Sequence, residues 1–216
     1  MEEKKPVKSS TSKQLFFSFS KLLIRIVFRV LFGCRYLYLG PFPKTGPVIF
    51  ASNHLSNLDP PTVGAGIRRE VYFIAKQELF RKMLFGALIR YLQAVPLRRG
   101  VMDWRASARL KEILRGGGSL LMFPEGTRSR DGNLGKGKFG VGYLAQETGA
   151  TIVPVYVCGT NHLKDTMLRR EALRVLYGQP IEPGEYAGFE HSTRGQLAIS
   201  ALIMERIAGL QQAVDS

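Results

Sequence analysis

The sequence predicts an α/β fold: a mainly parallel mixed sheet flanked by helices, with an amphipathic helix at its N-terminus. Two observations carry this. Short apolar runs at 48–52, 71–75, 119–123 and 152–157 alternate with stretches of helical character, and strand–helix alternation builds a sheet whose crossovers are helices. With 216 residues and 45% apolar side chains, the chain can bury one sizeable core and is too apolar for general disorder.

Residues 1–13 hold Lys4, Lys5, Lys8 and Lys13 among Ser and Thr, the composition of a disordered basic tail. Residues 14–39 are rich in Phe, Leu, Ile and Val, yet Lys21, Arg25 and Arg29 recur at intervals of four. That spacing places the three cations along one side of a helix. The expectation is a helix in the membrane interface, its basic side toward headgroups and its apolar side in the acyl region. The alternative is a soluble amphipathic helix packed on the core. Residues 40–47 form a Gly- and Pro-rich connector, and 40–216 form the α/β domain. Pro154 suggests an irregular or edge position for its strand. Residues 80–92 read as a second surface helix. Asp103 caps a helix that stops at Gly116-Gly117-Gly118, and an amphipathic helix from Ser192 ends the chain.

The net charge of +14 and pI near 10.1 call for an anionic partner: nucleic acid, an acidic headgroup or a phosphorylated substrate. Aromatic and basic residues do not interleave as in a nucleic-acid module, so a nucleic-acid partner is not expected. Eight Lys and Arg against two Glu lie in the first 40 residues, which favours a membrane surface. Cys34 and Cys158 have no metal-ligand spacing, so no metal site and a reducing compartment are expected.

Candidate chemistry begins at Asn53-His54-Leu55-Ser56-Asn57-Leu58-Asp59. A neutral imidazole can accept a proton near neutral pH, and a carboxylate on its other nitrogen would orient it. Residues five apart diverge on a helix, so His54 and Asp59 meet only if the chain turns between them. The expected arrangement is a loop after a strand, Asp59 as N-cap and Pro60 at the first helical position. Asp59 as a plain helix cap is the competing reading. Phe123-Pro124-Glu125-Gly126-Thr127-Arg128-Ser129 ends another strand. Gly126 permits a tight turn, Thr127 and Ser129 offer hydroxyls, and Arg128 offers a fork for phosphate oxygens. A strand-end turn with an exposed Arg is the bland alternative.

These motifs resemble those of the glycerolipid acyltransferases, closest to the bacterial 1-acyl-glycerol-3-phosphate acyltransferase group. Asn53 to Asp59 resembles the first motif, Val95-Pro96-Leu97-Arg98 the second, Phe123 to Ser129 the third and Ile152-Val153-Pro154-Val155 the fourth. Lys76-Gln77-Glu78-Leu79 resembles a further family segment. The resemblance implies transfer of an acyl chain from acyl-CoA or acyl carrier protein to the sn-2 hydroxyl of lysophosphatidic acid, giving phosphatidic acid without a cofactor. His54 is then the general base and Asp59 its orienting partner. Ser56 is a local hydrogen-bonding residue beside Asn53. Arg128, Thr127 and Ser129 hold the acceptor phosphate in a pocket that Glu125 and Gly126 shape, Glu125 by orienting a basic or backbone group. Lys76, Arg98 and Lys138 are second-line cations; Phe139 stands where the family often has a basic residue. Membrane lipids are further partners, at the cytoplasmic face of the cell membrane. Rival readings are another acceptor (glycerol 3-phosphate, another lysophospholipid or a lyso-aminolipid) or a non-enzymatic basic binder of anionic membrane or nucleic acid.

Overall fold

The computed structural model describes residues 11–81, 83, 86, 89–90, 93–97, 103–129, 131–168 and 171–215. Seven strands form one sheet in the order β1-β7-β6-β2-β5-β3-β4. They are β1 (Arg35–Tyr38), β2 (Val48–Ser52), β3 (Tyr72–Lys76), β4 (Ala94–Leu97), β5 (Ser119–Met122), β6 (Thr151–Cys158) and β7 (Arg174–Tyr177). Neighbouring strands are parallel except β6 and β7. The expected mainly parallel mixed sheet is therefore present.

The helices whose ranges the described residues give are α1 (Thr11–Phe32), α2 (Asp59–Gly66), α3 (Trp104–Arg115), α4 (Phe139–Thr148), α5 (Leu163–Met167), α6 (Pro183–Tyr186) and α7 (Thr193–Asp215). β2 is buried at every position, so its alternate residues feed two cores. Ile49 and Ala51 pack with Leu110, Leu114, Leu144, Ile199 and Ile203 under α3, α4 and α7. Val48 and Phe50 pack with Phe28, Val63 and Ile67 under α1 and α2. The length and hydropathy of α7 would also suit a membrane span, but Ile199, Ile203 and Ile207 are buried in the core. Asp103 caps α3 as its position predicts, accepting from the Ala106 N–H at 3.1 Å.

Three expectations need correction. The N-terminal helix does not run to residue 39. Gly33 adopts φ 62°, a left-handed conformation that ends the helix at Phe32, and residues 35–38 become edge strand β1 beside β7. Second, Lys21 and Arg25 of the basic side turn toward the body, while Arg29 is exposed. Lys21 Nζ donates to the carbonyls of Ile67 at 3.3 Å and Arg69 at 2.6 Å, and the Arg25 guanidinium lies 5.1 Å from the centre of the Tyr36 ring. Those carbonyls follow the end of α2, where no intrahelical donor serves them. Instead Phe19, Leu22, Leu23, Ile26, Val30 and Leu31 point outward, each at least half exposed. Third, Pro154 lies in a central strand and not at an edge, although its position is irregular as expected. Its carbonyl accepts from the Gly178 N–H, and the next contact on that side is the Ile152–Ile181 pair, so its missing N–H falls where the neighbouring chain bulges away. The expected helix at 80–92 lies largely outside the described residues; Gln77–Arg81 is a short 3₁₀ turn.

Candidate active site

The site lies where the chain leaves the C-terminal ends of β2, β5 and β6, the usual crevice of an open parallel sheet. Asn53 extends the β2–β6 ladder with its side chain. Its Nδ2 donates to the Val157 carbonyl at 2.9 Å and its Oδ1 accepts from the Val157 N–H at 2.8 Å. The backbone then turns, and His54 Nδ1 comes 2.7 Å from Asp59 Oδ2.

Asp59 is the first residue of α2, not its cap; Leu58 occupies the cap position without a side-chain bond. The carboxylate points back upstream. Oδ2 also accepts the N–H groups of Leu55 at 2.6 Å and Ser56 at 2.7 Å, and Oδ1 accepts the Thr160 hydroxyl at 2.5 Å. The helix-cap reading fails because three donors of the 54–56 turn and the Thr160 hydroxyl hold both oxygens. Ser56 Oγ accepts from the Leu58 N–H at 3.3 Å, a local bond within the same turn.

The His54 ring stacks on Phe123 with centroids 4.1 Å apart. Asp59 accepts at Nδ1, so that nitrogen carries the proton and Nε2 is the basic one. Among the described residues nothing bonds Nε2. The His54 N–H donates to Glu125 Oε1 at 3.1 Å, and the His54 carbonyl accepts the Ser129 N–H at 2.7 Å. Glu125 Oε2 accepts the Gly135 N–H at 3.1 Å. Glu125 therefore ties the histidine loop to the glycine-rich loop. Burial pushes its carboxyl above the usual range, while the two backbone donors pull the other way.

Gly126 takes φ 69°, and the end of the Lys138 side chain lies 3.1 Å from where a Cβ would stand. Thr127 and Arg128 are exposed and Ser129 is half-buried. They line an open pocket of about 400 Å³ with Lys136, Lys138, Asp131 and Asn133. Ser129 gives its hydroxyl proton to Asp131 at 2.9 Å, and Asn133 and Ser129 together hold the Asp131 carboxyl below the usual range. This local network was not foreseen. Lys76 ends β3, but its side chain lies outside the described residues, as does all of Arg98. His162, Asp165 and Glu171 bring their ligand atoms within 4.8 Å of one another. They lie on a mostly exposed turn, and the spacing of 162 and 171 gave no hint of it. Thr160, the other residue missed, is fully buried beside Asp59. No spacing rule connects positions 59 and 160.

A histidine on a strand-end loop, its Nδ1 held by a carboxylate and a basic glycine-turn loop beside it, is an arrangement suited to general-base chemistry. The chain belongs to the acyltransferase family, whose model matches residues 38–158 and so takes in both loops and β6. It is 33% identical over 162 residues to a chloroplast 1-acyl-sn-glycerol-3-phosphate acyltransferase of Arabidopsis thaliana, covering 71% of this chain and 45% of that one. The chain thus spans less than half the length of that plant relative. A Bacillus subtilis 1-acyl-sn-glycerol-3-phosphate acyltransferase is 23% identical over 201 residues, covering 92% of this chain and 98% of its own. The crystal structure of the 1-acyl-sn-glycerophosphate acyltransferase PlsC from Thermotoga maritima superposes with a TM-score of 0.72 at 27% identity, covering 95% of this chain and 83% of that one.

Proposed function

We propose that this protein transfers an acyl chain from a thioester, acyl-CoA or acyl carrier protein, to the sn-2 hydroxyl of lysophosphatidic acid, forming phosphatidic acid. The observation that carries the reading is the His54–Asp59 pair at 2.7 Å with Nε2 left as the proton acceptor. His54 Nε2 takes the acceptor's hydroxyl proton as that oxygen attacks the thioester carbonyl. Asp59 stabilises the imidazolium that forms. The C–S bond then breaks, and His54 returns the proton to the leaving sulfur. The acceptor is itself the nucleophile, so no acyl-enzyme and no cofactor are required.

Arg128 and Thr127 seat the acceptor phosphate, with Lys136 and Lys138 adding positive charge. Ser129 supports them through Asp131 rather than as a free donor. The names of the relatives support the acceptor. The outward apolar row of α1 supports a place on the membrane, where a lysophospholipid resides. On this reading the row lies in the acyl region at the cytoplasmic face while the Lys21–Arg25 side holds the body. The test is thiol release from acyl-CoA in detergent or lipid, which should require lysophosphatidic acid and should fall about 10²–10⁴-fold in His54→Ala. Turnover unchanged in that variant would overturn the mechanism.

A further inference from the structure

We propose that Thr160 is a positioning residue for acyl transfer: its hydroxyl locks the free oxygen of Asp59 and so fixes the rotation of the carboxylate that aims His54. The proposal rests on the His54–Asp59 reading above. Thr160 Oγ1 lies 2.5 Å from Asp59 Oδ1, and both residues are fully buried. The other oxygen, Oδ2, serves His54 and the N–H groups of Leu55 and Ser56. All bonds to the imidazole thus pass through one oxygen, and the described residues offer one bond, from Thr160, to hold the other. Without it the carboxylate can rotate about its Cβ–Cγ axis and present a bare oxygen to a buried site, which costs free energy unless a new donor arrives.

The backbone is shaped to deliver this hydroxyl. Gly159 follows β6 with φ 82°, and a Cβ there would stand 2.7 Å from the Ala172 carbonyl and 2.9 Å from Thr166 Cγ2. Only glycine makes that turn without strain. Upstream, the Asn53–Val157 exchange clamps the end of β6 to the strand that delivers His54. The Gly159–Thr160 step and the histidine loop are therefore held in one rigid frame around Asp59.

The test compares Thr160→Val and Thr160→Ser with His54→Ala in the full-length protein, measuring kcat and KM for both substrates alongside thermal melting. Val preserves the shape and removes the hydroxyl; Ser preserves the hydroxyl and removes a methyl. A positioning role gives a kcat loss of up to about 100-fold in Thr160→Val with both KM values little changed, and near-wild-type kcat in Thr160→Ser even where its melting temperature drops. A packing role gives the reverse order, with Ser more damaging than Val, and overturns the proposal. So does wild-type kcat in a folded Thr160→Val protein. If Thr160→Val unfolds, Thr160→Ser at low kcat in a folded protein overturns it equally. An active His54→Ala variant would instead remove the catalytic reading beneath it, so the two failures are distinguishable.

Discussion

Asn53 and Val157 exchange two hydrogen bonds, so a side chain performs the work of the next ladder residue between β2 and β6. His54 starts from this clamp. Asn53→Ala strands a buried N–H and a buried carbonyl on Val157, each costing about 1–3 kcal/mol. The variant should melt well below wild type and lose kcat, because His54 is no longer delivered to Asp59. Asn53→Asp should be partly destabilised, since its carboxylate accepts the Val157 N–H but opposes the Val157 carbonyl. Denaturant titration of both variants checks the order, and equal stability of Asn53→Ala and wild type would refute the clamp.

Arg128 is exposed and lines the pocket, and among the described residues its side chain makes no hydrogen bond or ion pair. Arg128→Ala should leave the melting temperature within about 1 °C of wild type, since exposed substitutions of this kind change stability little. The KM for lysophosphatidic acid should rise at least tenfold while the KM for the acyl donor stays constant. A change confined to the donor would assign Arg128 to the other substrate.

Shortening the chain should separate two roles of its N-terminus. A protein starting at Gly33 loses α1 but retains β1, and it should leave the membrane fraction with a lowered melting temperature, since Phe28 is removed from the core over Val48 and Phe50. Removing residues 1–39 also strips β1 from β7 and exposes that edge, and this protein should aggregate. Both truncations staying on vesicles would show that another surface holds the lipid.

The central sheet and both motif loops were legible because each strand is a short apolar run ending at a polar motif. β2 illustrates this: Val48 to Ser52 are wholly buried and Asn53-His54 follows directly. β1 was not legible. Arg35-Tyr36-Leu37-Tyr38 is four residues long, sits at an edge, and continues the apolar and basic composition of the helix before it, so Gly33 was the one available stop signal. The orientation of α1 was hidden for a different reason. Its sequence shows a basic stripe between apolar sides, and only the carbonyls at the end of α2 decide that Lys21 turns inward. Within the site, spacing and chemistry left the His54–Asp59 pairing open beside a helix-cap role for Asp59, and the motif resemblance chose the pair, whereas Thr160 arrives from 101 positions away along the chain and depends on strand order.

Lys21 also makes the docking of α1 depend on pH. Burial lowers its ammonium from 10.5 to about 8, with Glu70 opposing the shift. Between about pH 8 and 10.5 the unfolded chain holds a proton at Lys21 that the folded chain has released. Stability rises with pH wherever the unfolded state binds more protons, so this residue adds stability as pH climbs through that window and adds none below it. Cys34 acts oppositely at higher pH: burial raises its thiol from 9.0 to about 11, so the folded chain retains a proton that the unfolded one loses. The two effects separate best between about pH 8 and 9, below the ordinary thiol range. Lys21→Met carries no titrating group, and the Cys34 contribution is common to both proteins. The difference in melting temperature between wild type and Lys21→Met should therefore shift in favour of wild type from pH 7.5 to pH 9. A constant difference across that range would mean that Lys21 is not buried against Ile67 and Arg69 in solution, and that α1 swings free of the α2 end.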